Sequence, residues 1–237
     1  MLEERGLATT VIGAVRPQME KTRGPRGLFV PFMLGRPLGE PNDAPFQRRV
    51  LMRALNLLTR TDGPVILEDF PDDNPSWLDR ADWQPAMALP AVPLAVGDTG
   101  WEAALRAELD LVLPAWERFK ARFGRTTTGL AGQAPQHWPA FTQAFLRGEL
   151  PTVPAHQTAA LALRFLADDL KALYGEAVQA DGPPPSARQI DNWFWSKTIA
   201  GQLLIKLRQM ALESPNIALK TVGGRFFVPT PFLPKVS

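Results

Sequence analysis

The chain of 237 residues has no cysteine, only two histidines and no long apolar run. Without cysteine, the sequence excludes disulfides, thiolate metal sites and a cysteine nucleophile within this chain. Transition-metal sites usually depend on histidine, and His137 and His156 lie on separate segments, so no metal site is expected. A membrane-spanning helix needs roughly 18 or more consecutive apolar residues. No membrane association is therefore expected.

The net charge and the N-terminal residues further limit the class of protein to which the chain can belong. The formal net charge is +2, and the basic residues form no dense stripe, so nucleic-acid binding is disfavoured. The N-terminal residues 1–6 are too polar for a secretory signal, which predicts a cytoplasmic protein. Apolar residues make up 45% of the chain, with seven Trp and thirteen Phe, which indicates a folded core.

Short β-branched segments and helical segments alternate in the first seventy residues. The pattern predicts strands at 8–15, 27–32 and 64–67, separated by a short helix or turn at 17–23 and a helix at 45–60. This β-α-β-α-β order is typical of a small parallel α/β sheet.

The helix predicted at 45–60 has the clearest pattern. Asn42 or Asp43 can cap its first N–H groups, and Pro45 suits its first turn. Its apolar residues are expected to form one core-facing surface: Phe46, Val50, Leu51, Ala54, Leu55, Leu57 and Leu58.

A mainly α-helical module is predicted after residue 100. Pro114 is expected to kink or split the first of its helices, and Ser186 is expected to cap the last. The residues 225–228 are predicted to form a strand within a short extended tail. Predicted helices cover 101–123, 139–147, 155–180 and 186–212. The expected organisation is an α/β half-domain, a proline-rich connector and this helical module, at 1–80, 81–100 and 101–237.

The loop at 33–43 is the first candidate site, because it follows a predicted strand and opens a helix. Ligands collect beyond the carboxyl ends of parallel strands, and free N–H groups at a helix start attract anions. Gly35 and Gly39 allow close backbone approach, and Arg36 could clamp a carboxylate. Asn42 and Asp43 complete the predicted substrate or anion pocket. The alternative is an ordinary loop in which Arg36 pairs with an internal acid.

Glu68 and Asp69, at the end of the third predicted strand, are the second candidate site, as catalytic residues. Clustered carboxylates can hold Mg²⁺ or raise one another's pKa. The alternative is a solvated acidic loop.

Trp193 and Trp195 are the third candidate. Two residues apart on a helix, they are expected to point in different directions, one into the core and one toward a neighbouring element or a partner. They therefore form a candidate interface, with ligand stacking as the alternative. Adjacent carboxylates on the preceding helix are expected to form salt bridges: Asp168 and Asp169 with Arg164 or Lys171.

Several segments of residues 2–73 resemble a known family in order and spacing. They are 2–10, 25–32, 34–43, 46–51 and 63–71. The resemblance is to the B subunit of the glycine/sarcosine/betaine and D-proline reductases, the selenoprotein B family. It covers about 30% of the chain.

This resemblance implies reductive cleavage of a carbon–nitrogen bond, with a selenol or thiol as the attacking group. In the family, the selenocysteine or cysteine lies just upstream of the segment that matches Leu2-Glu3-Glu4. This chain has no cysteine, so no catalytic residue and no cofactor are carried over. Only the loop Gly35–Asp43 carries over, as a pocket wall.

The leading functional hypothesis is an accessory or partial subunit of a selenoprotein-B-like reductase. It would bind a small carboxylate or amine substrate, with the redox residue on another polypeptide or on an N-terminal stretch outside this sequence. A protein partner or a homo-oligomer is expected. The alternative is a non-catalytic binding or scaffold protein that uses the Trp193–Trp195 helix. A third reading is a hydrolase or lyase using Glu68, Asp69 and Arg36.

Overall fold

The computed structural model describes residues 2–72, 79–90, 100–149, 153, 157–182 and 184–233. The chain divides into two compact units, Met1–Asp79 and Arg80–Ser237. The first contains a three-stranded parallel sheet and the second is helical, so the predicted fold class is confirmed.

The predicted connector lies partly outside the described residues, at 91–99. Its described residues 81–90 belong to the second unit. Met87 in this segment is buried in the core of that unit, so the segment is held by packing.

The sheet consists of β1 (Val11–Gly13), β2 (Arg26–Phe29) and β3 (Ile66–Asp69), in that spatial order. Both pairings are parallel. In register, Val11 is opposite Gly27 and Gly27 is opposite Leu67. The strands β1 and β2 are shorter than predicted, whereas β3 has the predicted length but lies two residues later than predicted. Pro31 has no N–H to extend the ladder of β2.

Two helices accompany this sheet, α1 (Arg16–Thr22) and α2 (Ala44–Asn56). Of the two predicted caps for α2, Asp43 does the capping, because its side chain accepts a hydrogen bond of 3.1 Å from the N–H of Phe46. Pro45 lies in the first turn, as predicted.

The predicted apolar face of α2 is partly wrong. The core of the first unit contains Phe46, Val50, Ala54 and Leu57 with Leu28 and Ile66 of the sheet. Leu51 and Leu55 are instead 42% and 50% exposed. Successive helix residues are separated by 100°, so these two leucines lie away from the buried stripe.

The described part of the second unit contains six α-helices: α3 (Trp101–Phe123), α4 (Trp138–Leu146), α5 (Ala159–Ala177), α6 (Ala187–Lys197), α7 (Ile199–Glu213) and α8 (Ile217–Val222). The helix α3 runs unbroken through Pro114, so the predicted split does not occur. The core of this unit includes leucines of three helices: Leu105, Leu109, Leu163, Leu166, Leu170, Leu173, Leu203, Leu204 and Leu207. None of the helices among the described residues is long and apolar enough to span a membrane.

The single helix predicted at 186–212 is in fact two helices that meet at Thr198. The hydroxyl of Thr198 donates to the carbonyl of Phe194 at 2.6 Å and accepts from the N–H of Gly201 at 2.9 Å. Gly201 packs so closely that a Cβ atom there would lie 2.3 Å from the carbonyl oxygen of Phe194. At the start of α6, Ser186 forms a capping box with Gln189, so the predicted cap is confirmed.

The strand-like segment 225–228 is also corrected. A π-helical turn, Gly223–Phe227, follows α8 directly. Phe227 is fully buried in the helical core. In the described part of the second unit no strand is present to pair with an extended segment, so β propensity does not decide the local structure here.

The Gly201 contact generates a stability prediction. Gly201→Ala should destabilise the protein by about 1–3 kcal/mol, because the added methyl group meets a backbone carbonyl that cannot rotate away. The matched control is Gly175→Ala in α5, where the methyl group meets nothing within 4 Å. That change should stabilise by about 0.5–1 kcal/mol through helix propensity. Urea denaturation followed by circular dichroism measures both, and equal effects would contradict the steric account.

Candidate functional site

The carboxyl edge of the parallel sheet collects the residues that follow all three strands. Arg16 opens α1 just after β1, the 33–43 loop comes after β2, and Asp69 ends β3. The guanidinium of Arg16 donates to the carboxylate of Asp69 and lies 5.5 Å from the ring centroid of Phe29. This edge is where ligands bind in open parallel sheets.

The 33–43 loop folds into two tight turns. The N–H of Arg36 donates to the carbonyl of Met33, and the N–H of Gly39 donates to the carbonyl of Arg36, both at 3.0 Å. Gly35, Gly39 and Asn42 all have positive φ angles, of 87°, 91° and 67°. Glycine adopts such angles without steric cost, which accounts for the first two residues.

Gly39 also anchors the loop to the core. A Cβ atom at Gly39 would lie 2.7 Å from the ring of Phe46. Phe46 belongs to an aromatic trio with Phe32 and Phe70, in which the ring centroids are 5.5–5.8 Å apart. The loop is therefore positioned on a rigid apolar base.

Arg36 pairs with an internal acid, which is the alternative that the sequence left open. One terminal nitrogen of its guanidinium donates to both carboxylate oxygens of Glu40, at 2.9 and 2.8 Å. The two side chains are 44% and 29% exposed. Within the described residues, no acceptor meets the Nε or the second terminal nitrogen of Arg36.

The other residues of the predicted pocket have separate roles. Asp43 is occupied as the cap of α2, and Gly39 is buried beneath the loop. Gly35, Arg36 and Asn42 lie on the exposed surface. Of the five residues of the predicted pocket, these three face the solvent, as do Met33, Leu34, Pro37 and Pro41 of the same loop.

Glu68 and Asp69 do not form a carboxylate pair. Adjacent residues of a strand point to opposite faces of the sheet. Glu68 binds Arg53 at 2.8 Å and also binds Arg60, whereas Asp69 binds Arg16. To act as a base, either carboxylate would first have to leave its ion pair.

Arg60 joins Glu68 to a second carboxylate, that of Asp62. The guanidinium of Arg60 donates to Asp62 and holds the pKa of that carboxyl at about 2. The acidic side chains here form arginine pairs. Across the described part of the chain, no group of three or more His, Asp or Glu residues is arranged to hold a metal ion.

Trp193 and Trp195 are both packed inside the second unit, where they are 6% and 4% exposed. Trp193 lies 6.1 Å from Tyr174 between ring centroids, and Trp195 stacks on Phe232 at 5.8 Å. Both indoles therefore belong to the core, and little of their surface remains for a partner.

Asp169 is fully buried and forms no salt bridge with a described residue, so the prediction that it pairs with Arg164 or Lys171 is wrong. Its carboxylate accepts hydrogen bonds of 2.8–3.1 Å from three successive backbone N–H groups, those of Gly129, Leu130 and Ala131. Only Asp168 forms the predicted pairs, with Arg164 and Lys171. Asp169 therefore holds the 129–131 turn against α5.

Glu176, also on α5, holds the neighbouring part of the same loop. It accepts hydrogen bonds from the indole N–H of Trp116 at 2.8 Å and from the hydroxyl of Thr126 at 2.7 Å. Thr127 donates through both its N–H and its hydroxyl. Together, Asp169 and Glu176 order the connection between α3 and α4.

Glu108 of α3 is the third buried carboxylate, and the sequence analysis did not single it out. It accepts from the hydroxyl of Tyr174 at 2.7 Å and from the N–H groups of Ile199 and Ala200 at 2.7 and 3.0 Å. Burial raises the pKa of Glu108 above its ordinary value, against the opposing effect of these hydrogen bonds. The available signal was a carboxylate within an apolar helix stripe, between Leu105 and Leu109.

Comparisons of the chain with protein-family models, curated proteins and solved structures give no match.

The loop anchor generates a second prediction. Gly39→Ala should destabilise the first unit by about 2–3 kcal/mol, because it adds both an unfavourable φ angle and a collision with Phe46. Gly35→Ala is the matched control: its φ angle is nearly the same, but the new methyl group meets nothing within 4 Å. It should cost only about 1 kcal/mol. Thermal denaturation compares the two, and equal losses would exclude the Phe46 contact as the anchor.

Glu108 generates a third prediction. Glu108→Ala should destabilise by about 3–5 kcal/mol, because it leaves three buried donors without an acceptor. Tyr174→Phe, which removes one donor and keeps the ring, should cost about 1 kcal/mol.

The pH dependence of stability follows from the raised pKa of Glu108. The carboxyl of Glu108 holds its proton more strongly in the folded state than in the unfolded state. Its contribution to the free energy of unfolding is therefore greatest below its pKa in the unfolded state. Stability is lost as the pH rises from that value to the folded pKa of Glu108. Glu108→Gln cannot titrate and should lack this component. Identical pH profiles of unfolding for Glu108→Gln and the parent chain would contradict the assignment.

Proposed function

We propose that the chain is an accessory or partial subunit of a selenoprotein-B-like reductase, and that its first unit binds the carboxylate of a small amino-acid substrate. The redox selenol or thiol lies on another polypeptide or on a stretch outside this sequence. The resemblance of residues 2–73 supports the reaction class. The structure of the 33–43 loop supports the binding role.

The binding role rests on the guanidinium of Arg36, in which a described residue engages only one of the three nitrogens. Glu40 engages one terminal nitrogen, and no described residue meets the Nε or the other terminal nitrogen. These two nitrogens form one edge of a planar fork that suits a carboxylate bound through both oxygens. Arg36 is also exposed to solvent, so a small ligand can reach it.

The position of the loop supports the same role. It follows the central strand of the parallel sheet, at the edge where strand carboxyl ends meet. Gly35, beside Arg36, has no side chain and nothing within 4 Å of its Cβ direction. A ligand can therefore lie against the backbone there.

In this proposal the chain orients the substrate and the redox partner cleaves the bond. The partner's selenolate or thiolate attacks the carbon that bears the nitrogen, so that a carbon–selenium or carbon–sulfur bond forms while the carbon–nitrogen bond breaks, and the nitrogen leaves as an amine after protonation. Arg36 would hold the carboxylate and so fix the distance between the reacting carbon and the partner's redox residue. Fixing this geometry is a positioning role.

The test uses two substitutions in the Arg36–Glu40 ion pair that should change ligand binding in opposite directions. Arg36→Ala should weaken the binding of sarcosine, glycine, betaine or D-proline by about 1–3 kcal/mol, the contribution of a charge-assisted contact. Glu40→Gln should strengthen binding, because it removes the negative charge beside Arg36. Isothermal titration calorimetry on the full chain measures both.

Arg48→Ala is the matched control, because Arg48 is an exposed arginine in the same unit but outside the loop. It should leave binding unchanged. Dimethylamine, which lacks a carboxylate, should bind no better to the parent chain than to Arg36→Ala. If none of the four carboxylates binds, or if Arg36→Ala binds them as well as the parent, the pocket assignment fails.

A non-catalytic binding protein on the same fold is the second candidate. The observation that favours it is the apolar surface of the first unit. Among described residues, ten of the exposed large apolar side chains belong to that unit and six to the larger second unit. Those of the first unit are Leu2, Leu7, Val11, Val15, Met33, Leu34, Leu51, Met52, Leu55 and Val65. This candidate would gain support if the chain bound no carboxylate and Leu51→Glu broke a complex without altering the circular dichroism spectrum.

A further inference from the structure

A cavity of about 580 Å³ lies in the second unit, between the segment 84–90 and one face of α6. Trp193, Ser196 and Lys197 line it from the helix, at i, i+3 and i+4 spacing. Pro85 and Leu89 are among the residues that line it from the segment. The volume is typical of small-molecule sites, which span roughly 300–1,000 Å³.

The wall formed by the segment is fixed at both ends. Near its start, the side-chain amide of Gln189 accepts from the N–H of Arg80 at 3.0 Å and donates to the carbonyl of Arg80 at 2.8 Å. Near its end, Met87 is buried in the core, and Leu89 packs against that core. The cavity is thus a preformed gap between two anchored elements, which lowers the cost of binding.

Lys197 is the only charged residue among the described residues that line the cavity. Among the described residues, none forms an ion pair with Lys197. Lys197 therefore offers a cation next to an otherwise largely apolar space.

The apolar part of the cavity favours a ligand with a flat or compact hydrocarbon body. Of the apolar residues that line it, Pro85 and Leu89 are half-buried and provide accessible surface, whereas Met87 and Trp193 are almost completely buried. A fully charged, strongly hydrated ion such as phosphate would leave these walls unfilled, and a neutral hydrocarbon would leave the lysine unpaired.

We propose that this cavity is a binding site for a small organic anion, an aryl or alkyl carboxylate whose hydrocarbon part packs on Pro85 and Leu89 and whose carboxylate pairs with Lys197. The described residues that line the site all belong to the second unit. The proposal therefore does not rest on the reductase proposal.

The test uses 3-phenylpropionate as the probe, with the full chain in isothermal titration calorimetry. The parent chain should bind it at one saturable site. Lys197→Gln should weaken that binding about tenfold through loss of the charge-assisted contact. Lys220→Gln, an exposed lysine on α8 that does not line the cavity, should bind like the parent. The neutral amide 3-phenylpropionamide should bind the parent about as weakly as the acid binds Lys197→Gln.

A second variant tests the cavity without removing the charge. Ala88 is an exposed residue of the lining, so Ala88→Trp should fill the cavity without disturbing the core, and it should abolish binding. Circular dichroism and thermal denaturation confirm that each variant is folded. No saturable binding by the parent, equal binding by Lys197→Gln, or equal binding by a folded Ala88→Trp would each overturn the proposal.

Discussion

The start of α7 depends on the buried carboxylate of Glu108. The helical backbone breaks at Thr198, and α7 therefore begins inside the core with N–H groups that have no partner within the helix. The carboxylate of Glu108 accepts from two of them and from the hydroxyl of Tyr174. One side chain of α3 thus joins α5 to α7.

Buried carboxylates also accept hydrogen bonds from the connection between α3 and α4. Asp169 and Glu176, both on α5, accept hydrogen bonds from the backbone and side chains of residues 126–131 and from Trp116. A loop that would otherwise leave buried donors unsatisfied is held by carboxylates of a neighbouring helix. Exposed ion pairs on the surface contribute much less, because solvent screens them.

The parts of the fold that depend on local pattern could be predicted. Three β-branched runs and two intervening helices were enough for the parallel sheet, and Ser186 was recognised as a cap. The break at Thr198 could not be predicted, because the apolar positions continue through it and the cause is the contact of Gly201 with Phe194. The segment 225–228 has strand-like residues, but Phe227 is drawn into a helical core.

Side chains with distant partners were the hardest to predict. Asp169 has basic neighbours one helical turn away, yet its true partners are backbone groups about forty residues earlier in the chain. The candidate loop shows the same division: its turns and the cap at Asp43 follow from local sequence. The anchoring of Gly39 on Phe46 and the arginine partners of Glu68 and Asp69 depend on how the chain folds back.

The pairing of Arg36 with Glu40 has a consequence for kinetics. Together the two side chains carry no net charge, so they create little attractive field beyond the contact distance. A carboxylate ligand would therefore reach the loop by unsteered diffusion, at a rate nearly independent of ionic strength. At such a site the carboxylate would be recognised only after it contacts the loop, through the planar geometry of the remaining guanidinium donors of Arg36.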